Sequence, residues 1–416
     1  MAPPGCGRAR AQQLLLFAAD QTDPPELREV ATSLPGDLWL LGGHRLLCGD
    51  STRPADVGRL MRSAVASCVI ADPPYGMGKE KDGIPNDNLY REALDLFHMS
   101  WWQVAREHLA ENGSLYVWGN APDLWRLWYA GGLAASGDLL VRNEIVWNKG
   151  SGFGMKSAGM HSFAPASERC LFLMRGQQFL GSQNKADYWE GWDPLREWLV
   201  RERDRAGWSN DDVNRLSRTQ MAGHWFGKSQ FQPIGRQHYE RLRQLSAGAA
   251  FTETYDELLE RLFPEVFAGG MNHRRNIAEQ MRASRTYFDN AHEPMTDVWD
   301  FPRVQGGERF GHATPKPVAV LGRCVRSSVP ESGLVFDPFA GTGTVLVACE
   351  LLRRVCYAVE IEPTYVDVAV RRWQEQSGAA ATLEGDGRTF EAVEAARKGS
   401  ALRNGTTDPF PVEIGR

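Results

Sequence analysis

Residues 333–363, GLVFDPFAGTGTVLVACELLRRVCYAVEIEP, restrict the fold more than any other stretch of this chain. An apolar run, Leu334 to Phe336, reads as a buried strand that ends at Asp337. The tight loop Phe339-Ala340-Gly341-Thr342-Gly343 then opens an apolar helix, Val345 to Arg354. A second strand, Cys356 to Ile361, follows and carries Glu360 at its end. Strand, glycine loop, helix, strand and terminal acid form the layout that binds a nucleoside-containing cofactor at the carboxyl edge of a parallel sheet. The glycines let the backbone approach the ligand, and the acid can accept both ribose hydroxyls. A phosphate-cradling loop needs Gly-Lys-Ser/Thr, but Gly343 is followed by Thr344-Val345. Leu346 stands where a dinucleotide fingerprint needs a glycine or alanine. The pattern therefore suits a ligand without a pyrophosphate. The alternative is a plain tight turn between a strand and a helix.

The rest of the chain keeps this alternating rhythm on both sides of an interruption. Asp37 to Leu47 reads as a hairpin and Val69 to Ala71 as a buried strand. Leu89 to Glu111 reads as a helix ended by Asn112-Gly113, with Leu94, Phe97, Trp101, Val104 and Ala105 on one face. Ser114–Trp118, Asn143–Trp147 and Arg169–Met174 read as strands, and Pro122–Ala130 as a helix. The rhythm resumes with helices from Pro315 to Val329 and from Thr364 to Gln376. Such alternation predicts an α/β fold with a mostly parallel sheet covered on both faces. Residues 176–311 lack strand signals and are polar, helical and rich in Arg and Trp, which marks an insert. The expected layout is a flexible arm over 1–36, one half-domain over 37–175, a helical insert over 176–311, the other half-domain over 312–378 and a tail over 379–416.

Composition excludes several classes. A net charge of −5 rules out a uniformly basic coat for nucleic acid, so such binding must come from local patches. Seven cysteines without a CxxC pair read as a reduced, cytoplasmic chain with no structural zinc, and the nine histidines add no ligand spacing. No apolar run is long enough to cross a bilayer. The run Leu14 to Ala19 is short, and no small-residue cleavage site follows it.

The stretch ADPPYG, residues 71–76, leaves a strand with an acid, two prolines and a ring. Proline fixes φ and lacks an N–H. The carbonyl of Pro73 can thus be held toward a cleft beside the Asp72 carboxylate, with Pro74 stiffening the turn. Two acceptors aimed at one place suit a planar –NH2 group, and Tyr75 can stack on the ring that bears it. Acceptors on both amine hydrogens favour a pyramidal nitrogen with an available lone pair, which an in-line methyl donor can then receive. A surface turn is the alternative, since Asp-Pro and Pro-Pro are common in loops.

Together these segments resemble the amino-methylating DNA methyltransferases that use S-adenosylmethionine, in the β-group order where DPPY precedes FxGxG. The likeness spans about 38–175 and 312–376. It implies a Rossmann-like sheet of seven strands, a flipped-out base in double-stranded DNA, and direct methyl transfer with Asp72, Pro73, Pro74 and Tyr75 as the catalytic loop. It also implies that Asp50, in LLCGDST, lies near the cofactor's adenine. Thr314 and Lys316, in HATPKP, would meet the methionine end, and Asp337, Phe339, Gly341, Gly343 and Glu360 would complete the pocket. DPPY is most frequent in adenine-N6 enzymes, and some cytosine-N4 enzymes also carry the aspartate. A C5-cytosine enzyme would need a nucleophilic cysteine, and no Pro-Cys pair occurs. Other readings are an RNA or protein methyltransferase, the protein-glutamine type usually having Asn at the place of Asp72, and an inactive DNA-binding regulator. The resemblance fits a stand-alone methylase of a phage, mobile element or restriction-modification pair, acting at the nucleoid as a monomer or homodimer.

Residues 196–243 hold ten Lys and Arg against six Asp and Glu, a local excess of positive charge. Ser209 with Asp212 can cap a helix containing Val213 and Leu216, and Met221 to Phe226 can form a short second helix, in the manner of a helix-turn-helix. Arg215 and Arg218 would then meet phosphates, with Gln220, His224, Lys228 and Gln230 near base edges. A second basic segment runs from His273 to Arg285. The competing reading is a solvated helical lid whose tryptophans, Trp192, Trp198, Trp208 and Trp225, are ordinary core.

Overall fold

The computed structural model describes residues 14–20, 25–76, 85–150, 161, 163, 165–176, 193–228, 231–264, 286–289, 296–302 and 316–403. The chain divides into two compact units, Met1–Met174 with Tyr287–Arg416, and Arg175–Thr286.

The first unit is built on one sheet. Its strands are β1 (Leu38–Leu41), β2 (His44–Cys48), β3 (Ala66–Ala71), β4 (Leu109–Gly119), β5 (Leu139–Asn148), β6 (Ser167–Arg175), β7 (Val298–Asp300), β8 (Leu334–Asp337), β9 (Val355–Glu360) and β10 (Thr382–Leu383). Their spatial order is β10-β1-β2-β9-β8-β3-β4-β6-β5-β7. The expected count of seven strands is thus too low: this sheet has ten. Among the additions are the margins β10 and β7, of two and three residues, which are too short to show a period in sequence. The central five, β2, β9, β8, β3 and β4, pair in parallel. Their carboxyl ends at Cys48, Glu360, Asp337, Ala71 and Gly119 therefore lie side by side on one edge.

Both faces of the sheet are buried at its centre, and alternation along β3 shows it. Val69 and Ala71 enter the core under helices α1 (Pro54–Met61), α2 (Glu92–Glu107) and α3 (Ala121–Tyr129). Cys68 and Ile70 enter the opposite core, formed with α9 (Val318–Ser328), α10 (Thr344–Leu352) and α11 (Pro363–Ser377). A strand covered on both sides has no reason to alternate polar residues, which is why it reads as a continuous apolar run.

Three boundaries differ from the sequence reading. The segment read as a flexible arm is anchored: Leu16 is fully buried, and a Cβ on Gly322 would come 2.6 Å from its Cδ1. Asp20 accepts a hydrogen bond from the backbone N–H of Val318 at 2.5 Å and of Ala319 at 3.1 Å, capping α9. The tail is likewise partly structured, since β10 joins the sheet and the helix α12 (Phe390–Arg403) buries Phe390 and Val393. Asn112-Gly113 does not end a helix but lies within β4. The register there jumps from Ala66 opposite Leu109 to Cys68 opposite Ser114, and the extra residues form a bulge.

The second unit is helical, with α4 (Asp193–Arg205), α5 (Asn210–Ser217), α6 (Ala222–Phe226), α7 (Arg236–Leu245) and α8 (Tyr255–Leu262). It has its own core of Leu195, Trp198, Leu199, Trp225, Tyr239 and Phe251 among others. Its carboxyl boundary at Thr286 falls short of the expected 311, because Trp299 and Phe301 are buried in the first unit's core beside β7. Capping boxes start two of the helices, Ser209 with Asp212 and Thr254 with Glu257.

Candidate active site

The glycine loop sits between the ends of β8 and β9. Gly341 and Gly343 have φ of +51° and +80°, the left-handed region that glycine adopts without strain. A Cβ on Gly343 would also come 2.8 Å from the Cβ of Ala369. The Gly341 N–H donates to Glu360 Oε2 at 2.7 Å, and the Glu362 N–H donates to Oε1 at 2.9 Å. Burial pushes Glu360 up to about 7, against the pull of these N–H groups. Asp337 accepts from the Phe339 N–H at 3.0 Å. Burial holds its carboxyl well above the usual range; the Phe339 N–H opposes this, and the charges of Asp72 and Glu360 add to it. Phe339 rests against Phe97 and Trp101 of α2, with ring centroids at 6.0 and 5.5 Å. On the far side of β9, the Gly49 N–H donates to the Glu360 carbonyl at 2.9 Å, so Asp50 leaves the sheet next to that acid. Asp50 Oδ1 accepts from the Thr52 backbone N–H and hydroxyl at 2.9 and 2.7 Å.

Asp72 to Tyr75 leave β3 on the same edge. The turn is fixed from behind, since the buried Asp87 accepts from the backbone N–H groups of Tyr75 and Gly76 at 2.9 and 3.1 Å. The Tyr75 hydroxyl donates to Asp72 Oδ1 at 2.5 Å. Burial, then the charges of Asp72 and Glu168, keep that phenol protonated by raising it well above its usual range. Lys316, expected at the cofactor's methionine end, lies on Asp72: its Nζ donates to Asp72 Oδ1 at 2.5 Å and to the Tyr75 hydroxyl at 2.6 Å. Asp72 Oδ2 has no hydrogen-bond partner among the described residues, and the side chain is 34% exposed against 5% for Lys316. The acid is thus anchored through one oxygen and presents the other.

Sequence reasoning missed the groups behind Lys316. Glu168, at the start of β6, places Oε2 at 3.3 Å from Lys316 Nζ, an ion pair rather than an aligned hydrogen bond. Its Oε1 accepts from Lys149. Burial raises Glu168, but Lys316 and Lys149 outweigh it and hold the carboxyl below the usual range. Burial likewise lowers Lys316, and Asp72 and Glu168 outweigh that, so its ammonium is held above the usual range. The rings of Tyr75 and Trp118 flank Lys316 at 5.0 and 5.1 Å. Glu168 and Lys149 stand in no motif, so only the folded sheet reveals them.

In the second unit, Arg215, Arg218 and Gln220 line one shallow depression with Asp211, Asn214 and Thr219. Arg215 is exposed and pairs with Asp212 at 2.5 Å, while Arg218 ends α5 at φ +58°. His224 lies on α6, and Lys228 follows it with its Nζ 3.7 Å from Asp193 Oδ2. Trp198 and Trp225 are buried in the core, as the competing reading had them. Thr314, Gln230, Trp192 and the segment 273–285 lie outside the described residues. No group of three His, Cys, Asp or Glu among the described residues can hold a metal ion, and no described helix is long and apolar enough to cross a membrane.

A family profile described as DNA methylase, N6_N4_Mtase, matches residues 66–371. The type II methyltransferase M.ScaI of Streptomyces caespitosus is 22% identical over 337 residues, which cover 76% of this chain and 78% of that protein. The DNA adenine methyltransferase YhdJ of Escherichia coli (strain K12) is 37% identical over 99 residues, 22% of this chain and 34% of that one. The solved PvuII DNA methyltransferase (cytosine-N4-specific) is 11% identical with a TM-score of 0.41, over 88% of this chain and 94% of that one. For relatives such as YhdJ the chain spans about a third of their length.

Proposed function

The chain belongs to the DNA methylase family N6_N4_Mtase and transfers a methyl group from S-adenosylmethionine to DNA; we propose that the acceptor is the exocyclic N6 of adenine in a base rotated out of the duplex. One observation carries this reading. Asp72, whose Oδ2 has no hydrogen-bond partner among the described residues, and the Gly341–Glu360 bond stand at the ends of strands in one parallel row. A nucleoside-bearing donor on the glycine loop therefore lies beside the acceptors for an amine.

In this reading, Glu360 accepts the donor's ribose hydroxyls, Asp50 approaches its adenine, and Asp337 with Phe339 shapes the loop. Thr314 and Lys316 close the donor's other end. The substrate adenine enters over Tyr75, whose ring stacks on it while its hydroxyl stays tied to Asp72. Asp72 Oδ2 and the Pro73 carbonyl accept the two N6 hydrogens. With the donor bound, the N6 lone pair would take the methyl carbon as the C–S electrons return to sulfur, and the N6 hydrogen held by Asp72 would pass to its Oδ2 as a proton, leaving a neutral methylated amine and a neutral sulfide. No enzyme–base bond forms. The DPPY-before-FxGxG order supports the β group, and the aspartate favours adenine. The second unit supplies target recognition, with Arg215 and Arg218 on phosphates and Gln220, His224, Lys228 and Gln230 near base edges.

The test is methylation-aware sequencing of DNA from a host without its own methylases that expresses the full chain. N6-methyladenine in one sequence context is expected. N4-methylcytosine in its place overturns the choice of base, and unmodified DNA overturns the reading as a whole.

A further inference from the structure

Asp72 and Glu168 are two carboxylates on one ammonium, and Lys149 balances the second of them. The four groups sum to zero charge. Tyr75 and Trp118 wall in Lys316, and Trp118 is fully buried. Charges in such surroundings are weakly screened. The Glu168 side chain bonds no backbone group among the described residues, so it holds cations rather than chain segments.

We propose that Glu168 is a positioning residue that sets the balance of charge beside the donor sulfur, so that the site holds the cationic sulfonium of S-adenosylmethionine without favouring the neutral sulfide product. The inference rests on the reading that Asp72 meets the donor's methyl group. S-Adenosylmethionine bears a positive sulfur, and S-adenosylhomocysteine does not. Removing the Glu168 charge leaves the cluster at +1 and disfavours the sulfonium relative to the sulfide. Removing the Lys149 charge leaves it at −1 and does the reverse. A residue that served only to pack the site would shift both ligands together.

The experiment is calorimetric titration of the full chain with S-adenosylmethionine and separately with S-adenosylhomocysteine. Glu168→Gln is expected to lower the ratio of the two affinities, donor over product, about five-fold. Lys149→Gln is expected to raise it by a similar factor, and the double variant to return it near the starting value. A ratio unmoved in both single variants, or moved in the same direction by both, overturns the proposal. If Glu168→Gln melts at the assay temperature, Lys149→Gln decides alone, and an unmoved ratio there is fatal. Asp72→Ala serves as the separate control. Full methylation by that variant removes the reading of the site, whereas lost methylation with unmoved ratios removes only the role of Glu168.

Discussion

The edge of the sheet and the helical unit use charge in opposite ways. At the edge, the important pairs join distant parts of the chain: Lys316 and Asp72 are 244 residues apart, and Gly341 and Glu360 are 19 apart. Lys316, Glu168 and Glu360 are buried or partly buried, and burial and the groups that touch them displace their titration. In the helical unit, pairs such as Arg215 with Asp212 and Arg243 with Glu240 are three residues apart, and the arginines are exposed or half-exposed. Exposed local pairs contribute little to stability, so that surface is free to exchange partners. A buried long-range network fixes geometry; a solvated local one leaves cations available to a polyanion.

The contrast makes separable demands on variants. Asp72→Ala is expected to lower the methylation rate about a thousand-fold while leaving DNA affinity within two-fold, as read by tritium incorporation and by fluorescence anisotropy. Equal loss of both would mean that the edge and the binding surface are one machine. Glu360 gives the next effect. Its pKa is near 7 in the folded chain against 4.5 as the ordinary value, so its contribution to stability is fully present below about pH 4.5 and is lost as pH rises through 7. That amounts to about 3 kcal/mol. The melting temperature of the donor-free protein should therefore fall more steeply from pH 5 to 8 than that of Glu360→Gln. Donor affinity should rise over the same range, because the ribose hydroxyls need the carboxylate. Parallel melting curves for the two proteins would refute the assignment. The smallest change is expected from Arg215→Ala with Arg218→Ala. DNA affinity should drop about ten-fold, and the logarithmic salt dependence should become shallower by about 2, with donor affinity unchanged. An unaltered salt slope would take those arginines off the phosphates.

Legibility in the sequence followed the same division. The glycine loop and Asp72-Pro73-Pro74-Tyr75 were readable because backbone conformation and chemistry there reside in consecutive residues. The Ser209–Asp212 capping box was readable for the same reason. Glu168 and Lys149 were not, because nothing local distinguishes them and the antiparallel pairing of β6 on β4 brings Glu168 to the site. The first 36 residues look featureless in composition, yet one leucine and one aspartate, Leu16 and Asp20, tie part of them down. Asn112-Gly113 carried a turn signal that the bulge in β4 absorbed.

The two shortest strands of the sheet close its margins, β10 beyond β1 and β7 beyond β5. A long bare strand would offer a row of unpaired amides and carbonyls to any neighbouring polypeptide. Here the outermost ladders stop after two and three residues, and among the described residues β7 pairs only with Val146–Asn148 of the longer β5. The brevity that hid these strands from sequence periodicity thus limits the ladder that either could itself offer to another chain.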